Sequence, residues 1–324
     1  MKVIYNVDNY KVKSKGKNSG LVVALGNFDG IHLAHRKILE KTKDNAKRLG
    51  LKSAVFLLNP HPIRVLFPQK SFRLLSSLEE RAAIIDSIGI DYLIIEQFTE
   101  EMALFSPSSF IRDYLVHSLN VAQIVVGYDY TFGYRGKGTT YTLAELSKKF
   151  GFQVEIIPPV MIGGKVISSS LIRELVARGE VQKASEYLGT FFERKGKVIH
   201  GEGRGTTLGF PTANLQIPGD LLLPANGVYL NLVKYRDKEM FALTNVGRKP
   251  TFCKGDETHV EAFLLEFDKD IYGEELTIRF LHRIRDEIAF KDGQSLIKQI
   301  RDDLITAQKL IDQKYGHLLE KQHI

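Results

Sequence analysis

Residues 21–35, LVVALGNFDGIHLAH, constrain the fold more than any other stretch of the chain. They open on five apolar residues, Leu21-Val22-Val23-Ala24-Leu25, with no polar alternation. A strand of that kind has to be covered on both faces, as the inner strands of a parallel sheet are. Gly26, Asn27, Asp29 and Gly30 then supply turn chemistry. From His35 onward, Ile38, Leu39 and Leu49 fall on one side of a helical pattern. Arg36, Lys37, Glu40, Lys41 and Lys43 fall on the other. Strand, tight loop and helix start are where α/β proteins bind phosphate, because unpaired backbone N–H groups and the positive helix end converge there. His32 and His35 stand at that helix start, able to donate hydrogen bonds to phosphate oxygens as charge develops in a transition state.

The rhythm continues through the first half. Residues 52–58, 91–96, 121–127 and 152–158 read as further strands. Helices fall between them: a capping box at Ser77-Leu78-Glu79-Glu80 opens one to Ile88, and Ser106-Pro107 opens another to about Leu119. A third covers residues 142–150. The alternation predicts a doubly wound parallel sheet. Asn59-Pro60-His61-Pro62 stops a strand and fixes a loop at the ligand-binding edge. The loop at 128–138 joins aromatic residues to a carboxylate, Asp129, a set suited to a flat ring system or a base. In Ile167-Ser168-Ser169-Ser170-Leu171-Ile172-Arg173, hydroxyls open a helix and a guanidinium lies one turn in. That is either simple capping or a second phosphate site.

After Leu188-Gly189 the texture changes, and a domain boundary is placed there, giving residues 1–188 and 189–324. Residues 192–200 alternate like a half-buried strand. A loop with four glycines follows at 201–209, allowing backbone to wrap a nucleotide closely. Thr212 and Asn214, two residues apart in an extended Pro211-Thr212-Ala213-Asn214 segment, present oxygen donors to one side. Such donors suit Mg²⁺, which keeps waters and phosphate oxygens as its other ligands. Residues 227–235 and 239–246 form a hairpin, and 258–267 and 275–285 two more strands, so the second half predicts a small antiparallel barrel. A helix over 295–315, with Leu296, Ile300, Leu304 and Ile311 at helical spacing, caps it.

The single cysteine, Cys253, rules out an internal disulfide and suits a reducing compartment. No apolar run is long enough to span a bilayer and the first residues lack a signal-peptide core, so the reading is cytoplasmic. The net charge of +7 fits nucleic acid or small polyanions. Lysines and arginines are scattered rather than striped with aromatics, which favours the small molecules.

In order along the chain, G-N-F-D-G-x-H-x-x-H, N-P-H-P, G-x-D-x-x-F-G and I-S-S-S-x-I-R resemble the FMN adenylyltransferase module of bacterial bifunctional FAD synthetases, a Rossmann-like nucleotidyltransferase domain. The motifs G-x-G-R-G-x-T-L-G-F-P-T-A-N-L, G-V-Y, P-T-F, V-E, Y-G and R-I-R-D-E resemble the riboflavin kinase module of the same enzymes. The chain departs from the usual pattern at Ala34 for Gly, Asn59 for a carboxylate, Ser170 for Thr, Thr206 for a basic residue and Arg248 for Thr.

The resemblance implies ATP-dependent phosphorylation of riboflavin to FMN, then adenylylation of FMN to FAD with Mg²⁺. It implies His32, His35, Arg173 and Glu261 as catalytic residues, with Glu261 the base, and Thr212 and Asn214 as metal ligands. Nucleotide and flavin contacts fall on Gly26, Phe28, Asp29, Gly30, Asn59, Asp129, Ser168, Ser169 and Ser170 in the first module. In the second they fall on Gly203, Arg204, Gly205, Thr207, Gly209, Pro211 and Arg285. Two other readings stay open, a single retained activity and an RNA-binding regulatory protein on the same scaffold. A homo-oligomer is left open too.

Overall fold

The structure is a computed structural model that describes residues 1–10, 20–201, 208–248 and 258–320. It divides into two compact units, Met1–Ser169 and Ser170–Ile324.

The first unit is built on six parallel strands in the order β1-β4-β3-β2-β5-β6. They are β1 (Lys2–Tyr5), β2 (Leu21–Leu25), β3 (Lys52–Asn59), β4 (Tyr92–Gln97), β5 (Val121–Gly127) and β6 (Gln153–Ile157). The apolar run of β2 lies between β3 and β5 and is buried throughout. Its side chains alternate between two cores: Leu21, Val23 and Leu25 pack into one, Val22 and Ala24 into the other. The helices are α1 (Leu33–Leu49), α2 (Pro62–Leu66), α3 (Leu78–Ile88), α4 (Glu100–Ala103), α5 (Pro107–Phe110) and α6 (Thr140–Phe150). A wider helical turn, Ile111–Ser118, prolongs α5. The capping box of α3 is present: the Glu80 N–H donates to Ser77 Oγ at 3.1 Å, and the Ser77 N–H donates to Glu80 Oε2 at 2.8 Å. The doubly wound sheet is therefore as expected, with β1 an additional edge strand. A two-stranded ribbon, β7 (Met161–Ile162) and β8 (Lys165–Val166), follows.

The second unit begins within α7 (Ser169–Ala177) and continues through α8 (Val181–Leu188). Six strands then close a barrel in the order β10-β13-β12-β11-β14-β9. They are β9 (Phe192–Ile199), β10 (Ala213–Gln216), β11 (Gly227–Tyr235), β12 (Lys238–Arg248), β13 (Thr258–Leu264) and β14 (Glu275–Arg285). By contact, α8 stands with the barrel, packing on β14 and β9 through a face that includes buried Val181, Ala184, Tyr187 and Leu188. The contact seam thus lies earlier in the chain than the change of sequence texture at 188–189. The last long helix, α9 (Gly293–Leu310), is capped by Asp292, which accepts from the Ser295 N–H at 2.7 Å. It runs on through Ile311–Tyr315 to α10 (His317–Glu320). Ala307, Ile311 and Tyr315 cover Val228, Leu230, Leu232, Phe241, Leu243 and Leu281 on the outer face of the barrel.

Candidate active sites

In the first unit, the carboxyl ends of β2, β3 and β5 bring three of the expected loops to one edge of the sheet. Open α/β sheets bind ligands in that position. The loop after β2 turns sharply. Phe28 and Ile31 have positive φ (47° and 33°) on either side of Gly30 (φ 83°), an uncommon conformation for residues with bulky side chains. The turn delivers His32 to the N-cap of α1, where its Nδ1 accepts from the His35 N–H at 3.3 Å. An Nδ1 used as acceptor places the proton of the neutral ring on Nε2, the donor a phosphate oxygen needs. The two imidazoles stack with centroids 3.6 Å apart, and Phe28 meets His35 edge-on at 5.1 Å.

Two residues that the family resemblance places on the nucleotide, Asp29 and Phe28, are buried. Asp29 is only 1 % exposed. Its Oδ1 accepts from the Leu75 N–H and the Ser76 N–H, both at 3.0 Å, and from the Ser76 hydroxyl at 3.3 Å, while Oδ2 also faces the Leu75 N–H at 3.0 Å. Phe28 is equally buried, with its ring against Gly26. A carboxylate with those N–H partners anchors the loop. The anchoring extends further: the Gly30 N–H donates to Ser76 Oγ at 2.8 Å, Arg81 Nη1 donates to the Asn27 carbonyl at 2.9 Å, and the Ser169 hydroxyl donates to the Asp29 carbonyl at 2.9 Å. Burial pulls the Arg81 guanidinium below its usual pKa, and Asp29 beside it works the other way. Asn59 ends β3, half-buried, and Asp129 is exposed beyond the end of β5. Ser168 and Ser169 are half-buried, and Ser170 is exposed. Arg173 lies one turn into α7.

In the second unit, an antiparallel row carries three polar side chains. Asn214 on β10 lies directly opposite Glu261 on β13, and Glu261 lies directly opposite Asn245 on β12. Directly opposite residues share a face of the sheet. All three line a cavity of about 350 Å³, with Thr212 beside them. Leu243, Phe263, Leu296, Ile300, Ile288 and Phe290 give it apolar walls. Among the described residues, the side chains of Thr212, Asn214, Asn245 and Glu261 have no hydrogen-bond partner. The other charged groups at the cavity are paired. Arg285 Nε donates to both oxygens of Asp303, at 2.9 and 3.0 Å, and Gln299 donates to Asp303 at 2.9 Å. Glu287 accepts from Asn226 at 2.9 Å. Gly201 leaves room for this arrangement: a Cβ there would fall within 2.1 Å of Asn214 Nδ2.

The structure therefore brings Thr212, Asn214, Glu261 and Arg285 to one cavity, with Asn245 and Glu287 beside them. Gly209 (φ 83°) and Pro211 lead into β10. Gly203, Arg204, Gly205 and Thr207 lie outside the described residues, as do Thr206 and Cys253. No cluster of three or more His, Cys, Asp or Glu side chains suited to a metal occurs among the described residues. The hydroxyl, amide and carboxylate oxygens of Thr212, Asn214 and Glu261 nonetheless fit a hard cation that keeps most of its waters.

A parallel sheet with two histidines at the helix start on its carboxyl edge, and a barrel whose cavity holds a carboxylate unpaired among the described residues beside oxygen donors, fit a chain built of two nucleotide-using transferase modules. Family models agree: residues 14–171 match FAD synthetase and residues 188–311 match riboflavin kinase. The chain belongs to the bifunctional riboflavin kinase/FMN adenylyltransferase family. A Listeria monocytogenes relative of that name is 35% identical, the match covering 87% of this chain and 90% of the relative. A Bacillus subtilis relative of the same name is 36% identical, covering 89% and 92%. A solved chain from Streptococcus pneumoniae described as a macrolide-efflux protein is 31% identical, with a TM-score of 0.85, covering 95% of this chain and 99% of that one. Among the described residues no helix is long and apolar enough to cross a membrane.

Proposed function

We propose that this chain makes FMN from riboflavin and FAD from FMN, consuming ATP in each step. Residues 189–324 carry the kinase reaction and residues 1–188 the adenylyl transfer. The observation that carries this reading is Glu261 between Asn214 and Asn245, its carboxylate unpaired among the described residues, in a cavity with apolar walls.

In the kinase reaction the terminal hydroxyl of riboflavin gives its proton to Glu261, and its oxygen forms a bond to the γ-phosphorus of ATP. The bond from that phosphorus to the bridging oxygen breaks, and ADP leaves. Thr212 and Asn214 would hold Mg²⁺, which neutralises phosphate charge when bound. The glycine-rich segment containing Gly203, Arg204, Gly205, Thr207 and Gly209 cradles the phosphates. In the adenylyl transfer an FMN phosphate oxygen, already anionic, bonds to the α-phosphorus of a second ATP, and pyrophosphate leaves. No protein nucleophile is needed. His32, His35, Ser169 and Arg173 position the phosphates and offset developing charge, with Asn59 and Asp129 at the rim. The reaction is placed in the cytoplasm, where ATP is abundant and the lone thiol stays reduced.

Incubation with riboflavin, ATP and Mg²⁺, followed by separation of the flavins, tests both steps. His32→Ala is expected to abolish FAD while FMN accumulates. Glu261→Gln is expected to abolish FMN while FAD still forms from supplied FMN. Equal loss of both products in His32→Ala, or loss of FAD formation from supplied FMN in Glu261→Gln, overturns the assignment of two separate sites.

A further inference from the structure

We propose that Asn245 is a specificity-determining residue of the kinase site, its amide recognising a second hydroxyl of a polyol acceptor beside the one that is phosphorylated. This rests on the kinase reading above.

Three observations support it. First, the row across the barrel is ordered: Asn214, then Glu261, then Asn245. With Asn214 and Thr212 on the phosphate side and Glu261 receiving the proton, the acceptor chain has to leave on the Asn245 side. Directly opposite residues in a sheet stand about 5 Å apart at Cβ, close to the reach between neighbouring hydroxyls of a polyol once both are hydrogen-bonded. Second, Asn245 is half-buried at the cavity yet unpaired among the described residues, although Glu287 and Asn226 nearby are paired with each other. Third, the polar row is flanked by apolar walls: Leu243 stands two residues before Asn245 on β12, and Val228 and Phe263 line the same cavity. A polar row ending in an amide between apolar walls marks where the polar chain of an otherwise flat, apolar ligand belongs. An amide suits a hydroxyl in particular, because it offers a donor and an acceptor in one plane.

A site built to bind a hydroxyl discriminates against a ligand lacking it, because its own polar group is then left unpaired. The test compares riboflavin with 4′-deoxyriboflavin, which lacks the hydroxyl adjacent to the reacting one, as acceptors for the wild-type chain and for Asn245→Ala. The wild type is expected to favour riboflavin by 10- to 100-fold in kcat/KM. The variant is expected to lose that preference, falling to the deoxy level with riboflavin and changing little with the deoxy compound. FAD formation from supplied FMN is expected to be unchanged. Equal losses on both acceptors, or no loss on riboflavin, overturn the role of Asn245. If the variant does not fold, the wild type alone decides: equal use of the two acceptors overturns the proposal. A wild type that phosphorylates neither overturns the kinase reading and this inference with it.

Discussion

At the level of single side chains, the loop after β2 is held by a residue of the motif itself. Asp29 ties the loop after β2 to the backbone of Leu75 and Ser76, and its carbonyl holds the Ser169 hydroxyl. Removing the carboxylate leaves two buried N–H donors unpaired. Asp29→Ala is expected to lower stability by about 3 kcal/mol, checked by urea unfolding. It is also expected to reduce FAD formation from FMN by releasing the turn that aims His32, with FMN formation from riboflavin little changed. The histidines were legible in the sequence because a helix start after a buried strand leaves few places for them. The direction of Asp29 was not, since its partners lie some 46 positions away along the chain. Asn245 was hidden for another reason: on a strand with several polar residues nothing in the sequence singles it out, and only the register with Glu261 gives it a role.

Among the elements, α9 matters most for the second site because it forms one side of the cavity. It is fixed to β14 by the pair Arg285–Asp303, whose side chains are 17% and 4% exposed. Taking one partner from so buried a pair strands the other charge. Asp303→Ala is therefore expected to destabilise the chain by about 3 kcal/mol, read as a lower denaturation midpoint, and to weaken riboflavin binding as the wall loosens. A pH effect arises at the same interface. His282 on β14 lies against Tyr315, with its Nδ1 buried and unpartnered. Burial, and then the charge of Lys314, lower its pKa from the usual value of 6.5. The folded chain thus resists taking up a proton that the unfolded chain accepts, so stability is expected to fall as the pH drops below about 6.5. Above that pH this histidine contributes no slope. Comparing urea unfolding of wild type and His282→Gln between pH 7.5 and 5.5 checks it: the variant is expected to show the shallower decline. Most elements could be read from sequence period, but not β1, whose four residues include one buried side chain, or the grouping of α8 with the barrel. Grouping is decided by which surface covers Tyr187 and Leu188, and the helix pattern alone is silent on that.

Across the whole molecule, two architectures with different topologies share one chain, and the sequence announced both through a change from strand–helix alternation to closely spaced strands. The units also differ in how local their pairings are. In the first unit the six-stranded sheet is complete by Ile157. The barrel closes only when Phe192 meets Phe280, so β9 has no partner on that side until β14 exists. A ribosome delivering the chain from its first residue thus releases a finished sheet early and an open, apolar-lined cylinder late. During that interval the emerging second half is the part most open to capture by a chaperone or by another unfinished copy. Deleting β14 should condemn it to that fate permanently, however sound the first half remains.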